Sequence, residues 1–215
     1  MALSCGIDAR CTGCFYTSNE DRGLTISSTD ATLKLMERRF LLGEYGKHLW
    51  TREKAQGIRS QLQEKLQELS IGDTLVIDVK DVEVFDYSFA NELFAKILLT
   101  LPVDHPGKFL VVEHLTAYAR ENLEKTLESV GVAIIERRGR KLYLLGKVHP
   151  ADQRTFDAIA QAKEPVSAAS LADQLTVNLT AMNERLSKLT KLGLVRREKG
   201  TSPSGREQYL YIVPT

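Results

Sequence analysis

The chain has 215 residues, with 29 Lys and Arg against 28 Asp and Glu and a formal net charge of +1. This balance excludes a protein that coats nucleic acid through its overall positive charge, so any surface for nucleic acid must be local. The length favours two domains, each with a core of its own. The longest nearly apolar stretch, Ile97–Val103, is too short to span a membrane, and the N-terminus lacks the basic and apolar regions of a signal peptide. We therefore expect a cytoplasmic protein with no membrane contact.

All the cysteines of the chain lie in an N-terminal segment, residues 1–30, at Cys5, Cys11 and Cys14. The Cys11-x-x-Cys14 spacing is one by which a turn brings two thiolates onto one metal ion. A zinc site then needs a further ligand, for which Asp8, His48 or a second subunit are the candidates. Three thiolates can also hold an iron–sulfur cluster with an outside ligand, or form a redox switch. The remaining alternative is a tail with incidental thiols, because a single such pair is a weak signal.

Helix and strand signals alternate from residue 31 to residue 148, which predicts an α/β domain. The predicted strands are Leu33–Leu42, Thr74–Val79, Phe109–Glu113, Val132–Glu136 and Lys141–Leu145. The predicted helices begin near Thr51, Tyr87 and Thr116, with Thr51 and Thr116 as predicted N-caps. The first helix has an apolar stripe that should pack on the sheet, formed by Ala55, Ile58, Leu62, Leu66 and Leu69. Together these elements predict a mixed sheet of four or five strands with three helices.

Two motifs in this domain have an order and a spacing that can be compared with known families. Residues 74–94 read TLVIDVKDVEVFDYSFANELF, in which a strand ends in Asp and is followed by a short turn and a helix start. Upstream, residues 49–55 read LWTREKA, at the opening of the first helix. Together the motifs resemble the STAS-like domain family over about residues 31–147. The resemblance implies a domain that senses a signal or binds a protein partner.

Related STAS domains include anti-sigma factor antagonists, in which an Asp-Ser-Ser turn carries a phosphorylatable serine. Here the matching residues are Asp86, Tyr87 and Ser88, so a tyrosine stands at the usual phosphoserine position. Ser88 and Asn91 lie at a predicted helix N-terminus, where free amides and the helix dipole favour an anion. These four residues are therefore a candidate regulatory or anion site. The alternative is that Asp86 or Ser88 is only the N-cap of the helix.

The chain shows no catalytic motif. It contains no glycine-rich phosphate loop, no Gly-x-Ser-x-Gly elbow and no His-Glu-x-x-His. The acids Asp78 and Asp81 follow a strand end, where they are either solvated or form a site for Mg²⁺ or another ligand. We expect a protein that is not an enzyme. The alternative is an enzyme that uses the turn between Asp78 and Ser88.

The C-terminal third, residues 149–215, shows a different pattern. Three amphipathic runs are followed by two short strands around a turn rich in Gly, Ser and Pro. The runs are Asp152–Lys163, Ser170–Leu175 and Asn178–Leu192, and the strands are Leu194–Lys199 and Arg206–Val213. The third run has a stripe predicted to be buried, formed by Leu179, Met182, Leu186 and Leu189. This order predicts a small winged-helix α+β domain that contains a helix-turn-helix and begins near His149.

Basic residues are concentrated in the predicted third helix and hairpin. Residues 176–206 contain seven Lys and Arg against two acids. Because the third helix of such a domain can enter the major groove, we expect helix side chains to meet base edges and hairpin cations to bind phosphates. The predicted DNA-binding residues are Thr180, Asn183, Arg185, Ser187, Lys188, Lys191, Arg196, Arg197, Lys199 and Arg206.

Residues 182–197, MNERLSKLTKLGLVRR, resemble the end of the third helix and the start of the wing in winged-helix regulators. The resemblance implies a transcription regulator that binds double-stranded DNA as a homodimer. The STAS-like domain would then be its sensor, or its site for a protein partner. The alternative is a protein-interaction switch similar to an anti-sigma factor antagonist, in which the winged helix binds protein rather than DNA.

Overall fold

The computed structural model describes residues 36–202 and 205–214. The predicted metal ligands Cys5, Cys11 and Cys14 lie outside these ranges. Within them, no helix is long and apolar enough to cross a membrane. Up to residue 146 the elements are β1 (Glu37–Leu41), a 3-10 turn (Leu42–Tyr45), β2 (His48–Leu49), α1 (Arg52–Gln67), β3 (Thr74–Asp78), β4 (Val84–Phe85), α2 (Tyr87–Ala90), a π-helical turn (Asn91–Ala95), α3 (Lys96–Asp104), β5 (Phe109–Glu113), α4 (Ala117–Val130), β6 (Ala133–Arg138) and β7 (Lys141–Gly146).

A mixed five-stranded sheet forms the centre of this part, with strand order β1-β3-β5-β6-β7. The pairs β1–β3, β3–β5 and β5–β6 are parallel, and β7 returns antiparallel to β6. The predicted α/β fold, with four or five strands and three helices, is thereby confirmed. The structure adds a short parallel pair, β2 with β4. The sequence prediction lacks this pair because strands of two residues show no periodicity.

Both faces of the central strands are buried, and successive residues of one strand belong to different cores. In β5, Leu110 and Val112 pack in a first core together with residues of α1 and α4, whereas Val111 packs in a second core. Val76 of β3 and Ile135 of β6 also lie in the second core. Successive side chains of a strand point to opposite faces, so a sheet that is covered on both sides requires nearly continuous apolar runs.

Helices α1, α3 and α4 cover the first face of the sheet. The apolar stripe of α1 is confirmed, because buried positions are occupied by Ala55, Ile58, Leu62, Leu66 and Leu69. Two predicted caps also form: the hydroxyls of Thr51 and Thr116 accept hydrogen bonds from the backbone N–H groups of Lys54 and Ala119. The predicted helix that begins at Tyr87 is present as α2, the π-helical turn and α3.

The C-terminal elements are α5 (Pro150–Gln161), β8 (Val166–Ser167), α6 (Ala168–Leu175), α7 (Leu179–Lys191), β9 (Arg196–Thr201) and β10 (Glu207–Ile212). Strands β8, β10 and β9 form an antiparallel sheet in that order. The three predicted helices and the two hairpin strands are confirmed to within a few residues, and β8 is an addition. The predicted burial of Leu179 is wrong, because this residue is 50% exposed. A helical side chain covers the turn N-terminal to its own Cα, and Leu179 is the first residue of α7.

The C-terminal elements pack on the second face of the central sheet. Phe156 and Ile159 of α5 lie in the same core as Val76, Val111 and Ile135. All described residues accordingly belong to one compact unit. The predicted domain boundary near residue 148 stays a prediction.

Candidate nucleic-acid interface

Helix α7 separates an apolar face from a polar one. The Asn178 side chain caps the helix by accepting a hydrogen bond of 2.7 Å from the backbone N–H of Ala181. Because Met182, Leu186 and Leu189 are buried in the core, the opposite side of the helix faces solvent. An open concavity runs along that side, lined by Thr180, Asn183, Glu184, Ser187, Lys188 and Lys191. The structure thus brings together five of the six helix residues that the sequence predicts to bind DNA.

Two of the predicted helix cations are not free at the surface. Arg185 is half-buried and does not line the concavity. Lys188 Nζ donates a hydrogen bond of 2.6 Å to Oδ2 of Asp152, whose side chain is only 7% exposed. A buried carboxylate is stable only with a compensating partner, so Lys188 attaches α7 to α5. The other cation of the concavity, Lys191, makes no ion pair with the residues that the structure describes.

The exposed face of the β9–β10 hairpin combines basic and aromatic side chains. Arg197 and Lys199 are exposed in β9, and Tyr209, which is 46% exposed, lies opposite Lys199 in β10. The Arg197 guanidinium carbon lies 4.3 Å from the centre of the Tyr209 ring. A guanidinium that stacks on a ring through its flat face leaves its edge, with the N–H donors, for a ligand. The sequence prediction omits Tyr209, which lies on the same face of the hairpin as Arg197 and Lys199.

Arg196 faces the other way. Its Nη1 donates a hydrogen bond of 3.3 Å to the carbonyl oxygen of Gly72, and its side chain is 12% exposed. The Glu198 Oε1 atom lies 2.7 Å from Arg196 Nε, in an ion pair. Arg206 is exposed near the tip of the hairpin, where its backbone N–H donates to the Ser202 hydroxyl at 3.1 Å. The four predicted cations of the hairpin therefore do not share one face.

Three of the predicted regulatory residues lie at the start of α2, and the fourth, Asn91, directly follows this helix. The Asp86 Oδ1 atom accepts a hydrogen bond of 2.7 Å from the backbone N–H of Phe89, which confirms that Asp86 is the N-cap. The Tyr87 and Ser129 hydroxyls are 2.8 Å apart and share a hydrogen bond. Ser88 and Asn91, the other two predicted regulatory residues, are half-buried. Because the Asp86 carboxylate already occupies the helix N-terminus, an anion at this position would meet a negative charge.

A charged cluster that the sequence prediction lacks lies at the carboxyl ends of β3 and β5. Side-chain N and O atoms of Asp78, Glu113 and His114 lie within 4.8 Å of one another, and His114 Nδ1 is 2.7 Å from Asp78 Oδ1. The Arg39 guanidinium bridges the two acids, with Nη1 3.1 Å from Asp78 Oδ2 and 2.9 Å from Glu113 Oε2. Asp81, which the sequence prediction pairs with Asp78, is exposed and does not belong to this cluster.

The cluster fits an ion-pair network better than a metal centre. Burial raises the pKa of Asp78, but hydrogen bonds from His114 and from the backbone N–H of Lys80 outweigh it and help to hold this pKa below its usual value. The Arg39 guanidinium already occupies the space between the two carboxylates that a cation would need. The network therefore ties the middle of β1 to the carboxyl ends of β3 and β5.

Comparisons with known proteins give little further information. No family model matches the chain, and no curated protein matches it. One solved structure, described as "Possible transcriptional regulator from Methanosarcina mazei Go1", is similar with 14% sequence identity and a TM-score of 0.29. The similarity covers 32% of this chain and 57% of that one. A similarity of this extent does not define a shared fold.

Proposed function

We propose that the protein is a transcription regulator that binds double-stranded DNA through a winged helix-turn-helix formed by its C-terminal elements. The observation that carries the proposal is the division of α7 into a buried apolar face and an exposed polar face along an open concavity. The α7 helix is followed by a hairpin whose exposed face carries Arg197 and Lys199. A polar helix face next to basic strands is suited to a groove between two phosphate backbones.

The order of the C-terminal elements supports this proposal. Helix α5, the short β8, helices α6 and α7 and the hairpin follow one another as in a winged helix, and β8 completes a three-stranded sheet with the hairpin. Between α6 and α7 the chain turns at Thr176, which has a left-handed backbone with φ of 53°, and α7 then begins after its Asn178 cap. In such a unit the second helix of the turn is the one that enters the major groove.

The exposed residues divide into two proposed roles. Thr180 and Asn183, on the concave face of α7, would contact base edges, and an asparagine side chain can pair with an adenine edge in the major groove. The proposed phosphate contacts are Lys191, Arg197, Lys199 and Arg206. Arg185, Ser187 and Lys188 flank or line the same face, with Lys188 held mainly by Asp152.

For the α/β part we propose a STAS-like domain that senses a signal or binds a protein partner, without catalytic activity. The motif from Thr74 to Phe94 contains β3, β4, α2 and the start of the π-helical turn, in the order that the resemblance implies. The proposed regulatory residues are Asp86, Tyr87 and Ser88 at the start of α2, and Asn91, which directly follows this helix. A cytoplasmic homodimer is the form that would place two α7 helices on two half-sites of one DNA duplex.

Selection of bound fragments from host genomic DNA tests the proposal, followed by affinity measurements on a selected duplex at several salt concentrations. We expect the double variant Arg197→Ala/Lys199→Ala to bind more weakly and to lose about 1.8 from the slope of log affinity against log salt, since each lost phosphate contact removes about 0.9. The matched control is Arg140→Ala, which removes an exposed arginine from the turn between β6 and β7 and leaves binding unchanged. Absence of salt-sensitive binding of the wild-type chain to any duplex at low ionic strength would overturn the proposal.

A second candidate function is a protein-interaction switch in which the C-terminal elements bind protein. The exposed Leu179 at the start of α7 favours it, as does Glu184 on the concave face, because both disfavour a phosphate backbone. Affinity capture with the immobilised chain distinguishes the two functions, because nuclease treatment removes a partner bound through DNA and leaves a partner bound directly.

A further inference from the structure

Strand β9 begins with two arginines that face opposite sides of the hairpin. Arg197 is exposed and stacks on Tyr209. Arg196 is 12% exposed and its guanidinium donates to the carbonyl oxygen of Gly72. The two residues have the same charge and are neighbours in the chain, so the difference between them comes from their surroundings alone.

The acceptor of the Arg196 hydrogen bond belongs to the α/β part of the chain. Gly72 is buried just before β3, and its backbone N–H donates to the carbonyl oxygen of Gly107 at 2.7 Å, just before β5. A buried carbonyl oxygen needs a hydrogen-bond partner, and Arg196 supplies one from the hairpin. The contact therefore joins the start of β9 to the amino-terminal edge of the central sheet.

Neighbouring residues strengthen this junction. Leu194 and Val195, which lead from α7 into β9, are buried in the same core as Val76 and Val111 of the central sheet. Gly193 follows α7, and a Cβ atom at this position would lie 3.5 Å from the Leu101 side chain of α3. The end of α7 and the start of the hairpin are thus both in contact with the α/β part.

We infer that Arg196 is a positioning residue: it holds the end of α7 and the hairpin in one orientation on the α/β part and does not itself bind DNA. This inference rests on the proposed function, and it assigns Arg196 and Arg197 to different tasks. The ion pair with Glu198 and the hydrogen bond to Gly72 occupy Arg196 on the inner side of the hairpin. Arg197, on the outer side, keeps its N–H edge free for phosphate.

The salt dependence of DNA binding separates the two tasks. Arg197→Ala removes a phosphate contact, so the slope of log affinity against log salt falls by about 0.9. Arg196→Ala lowers affinity through loss of orientation, so its slope stays at the wild-type value. Arg196→Lys keeps a donor for the Gly72 carbonyl oxygen and restores part of the affinity. A fall of the slope in Arg196→Ala equal to that in Arg197→Ala would overturn the inference.

Native-state hydrogen exchange of the full chain tests the junction without DNA, and so remains decisive if the wild-type protein binds no duplex. We expect Arg196→Ala to accelerate amide exchange in residues 194–202 by about tenfold or more, since a hydrogen bond from a charged donor is lost. We expect no such change in Arg197→Ala and an intermediate change in Arg196→Lys. The lysine variant keeps a donor for the Gly72 carbonyl oxygen, so it provides the test if Arg196→Ala does not fold. Wild-type exchange rates in Arg196→Ala would overturn the inference.

Discussion

The α/β part and the C-terminal part of the chain use their charged residues differently. In the α/β part, Arg120 binds Glu136, whose side chain is 1% exposed, and Arg137 contacts the carboxylates of Glu113 and Glu37. On α7 and the hairpin, no ion pair within the described ranges involves the exposed side chains of Lys191, Lys199 and Arg206.

The difference indicates two uses of positive charge. A cation that is paired with a buried carboxylate contributes to folding, because removal of either partner leaves the other unsatisfied. An exposed cation contributes little to stability and is available for a polyanion. Removal of a buried carboxylate that is paired with a cation should therefore lower stability, whereas removal of an exposed, unpaired cation of α7 or the hairpin should lower DNA binding.

The largest expected effect is that of Glu136→Ala. Glu136 accepts hydrogen bonds from Arg120 and Arg138, and its removal leaves the half-buried Arg120 without a carboxylate. We expect the free energy of unfolding to fall by about 3 kcal/mol. Urea unfolding followed by the fluorescence of Trp50, the only tryptophan, measures this change.

The matched control for this prediction is Glu121→Ala. Glu121 pairs with Lys125 on the exposed side of α4, and both side chains are more than half exposed. We expect no measurable change in the urea midpoint, because exposed pairs contribute little. Equal destabilisation by the two substitutions would contradict the distinction between buried and exposed charge.

The same carboxylate predicts a pH dependence of stability. Burial raises the pKa of Glu136, but hydrogen bonds from Arg120 and Arg138 outweigh it, and the pKa lies below the value of 4.5 expected for an unfolded chain. A lowered folded-state pKa contributes stability that is complete above pH 4.5 and is lost as the pH falls through the folded pKa. We expect the urea midpoints of wild type and Glu136→Gln to differ at pH 7 and to converge in acid. A constant difference between pH 7 and pH 3 would exclude this origin.

Local patterns in the sequence predict the elements of the fold, whereas the packing of its two parts depends on distant residues. The stripe of α1 and the caps at Thr51 and Thr116 follow from spacing and residue type alone. The run Thr74–Val79 is apolar enough for a strand that is buried on both faces of the sheet. The three helices predicted for this domain cover only one of these faces, so the sequence does not show what covers the other. The contact that attaches β9 to the sheet joins Arg196 to Gly72, which are 124 residues apart. Spacing near Arg196 does not reveal that partner, so the sequence assigns this arginine to phosphate.

On α7, removal of an exposed polar side chain should change the sequence specificity of DNA binding without a change in stability. Asn183→Ala removes an exposed amide from the concave face, so we expect discrimination at one base pair to fall by about 1–3 kcal/mol while the salt slope stays unchanged. Competition between duplexes that differ at single positions measures the discrimination.

The control on the same helix is Lys191→Ala, which removes an exposed cation. We expect it to weaken binding to all duplexes alike and to lower the salt slope by about 0.9. If Lys191→Ala changed specificity and Asn183→Ala did not, the proposed roles of the two residues would be reversed.

The smallest expected effect concerns the aromatic ring beneath Arg197. Tyr209→Ala leaves the charge of the hairpin unchanged but removes the surface on which the guanidinium stacks at 4.3 Å. A cation–π contact at an exposed site contributes about 0.5–1 kcal/mol, so we expect DNA affinity to fall about twofold to fivefold. Tyr209→Phe keeps the ring and should bind like the wild type. Equal weakening in both variants would mean that the phenol hydroxyl, rather than the ring, acts at this surface, and Tyr209 would then contact the ligand itself instead of holding Arg197 in place.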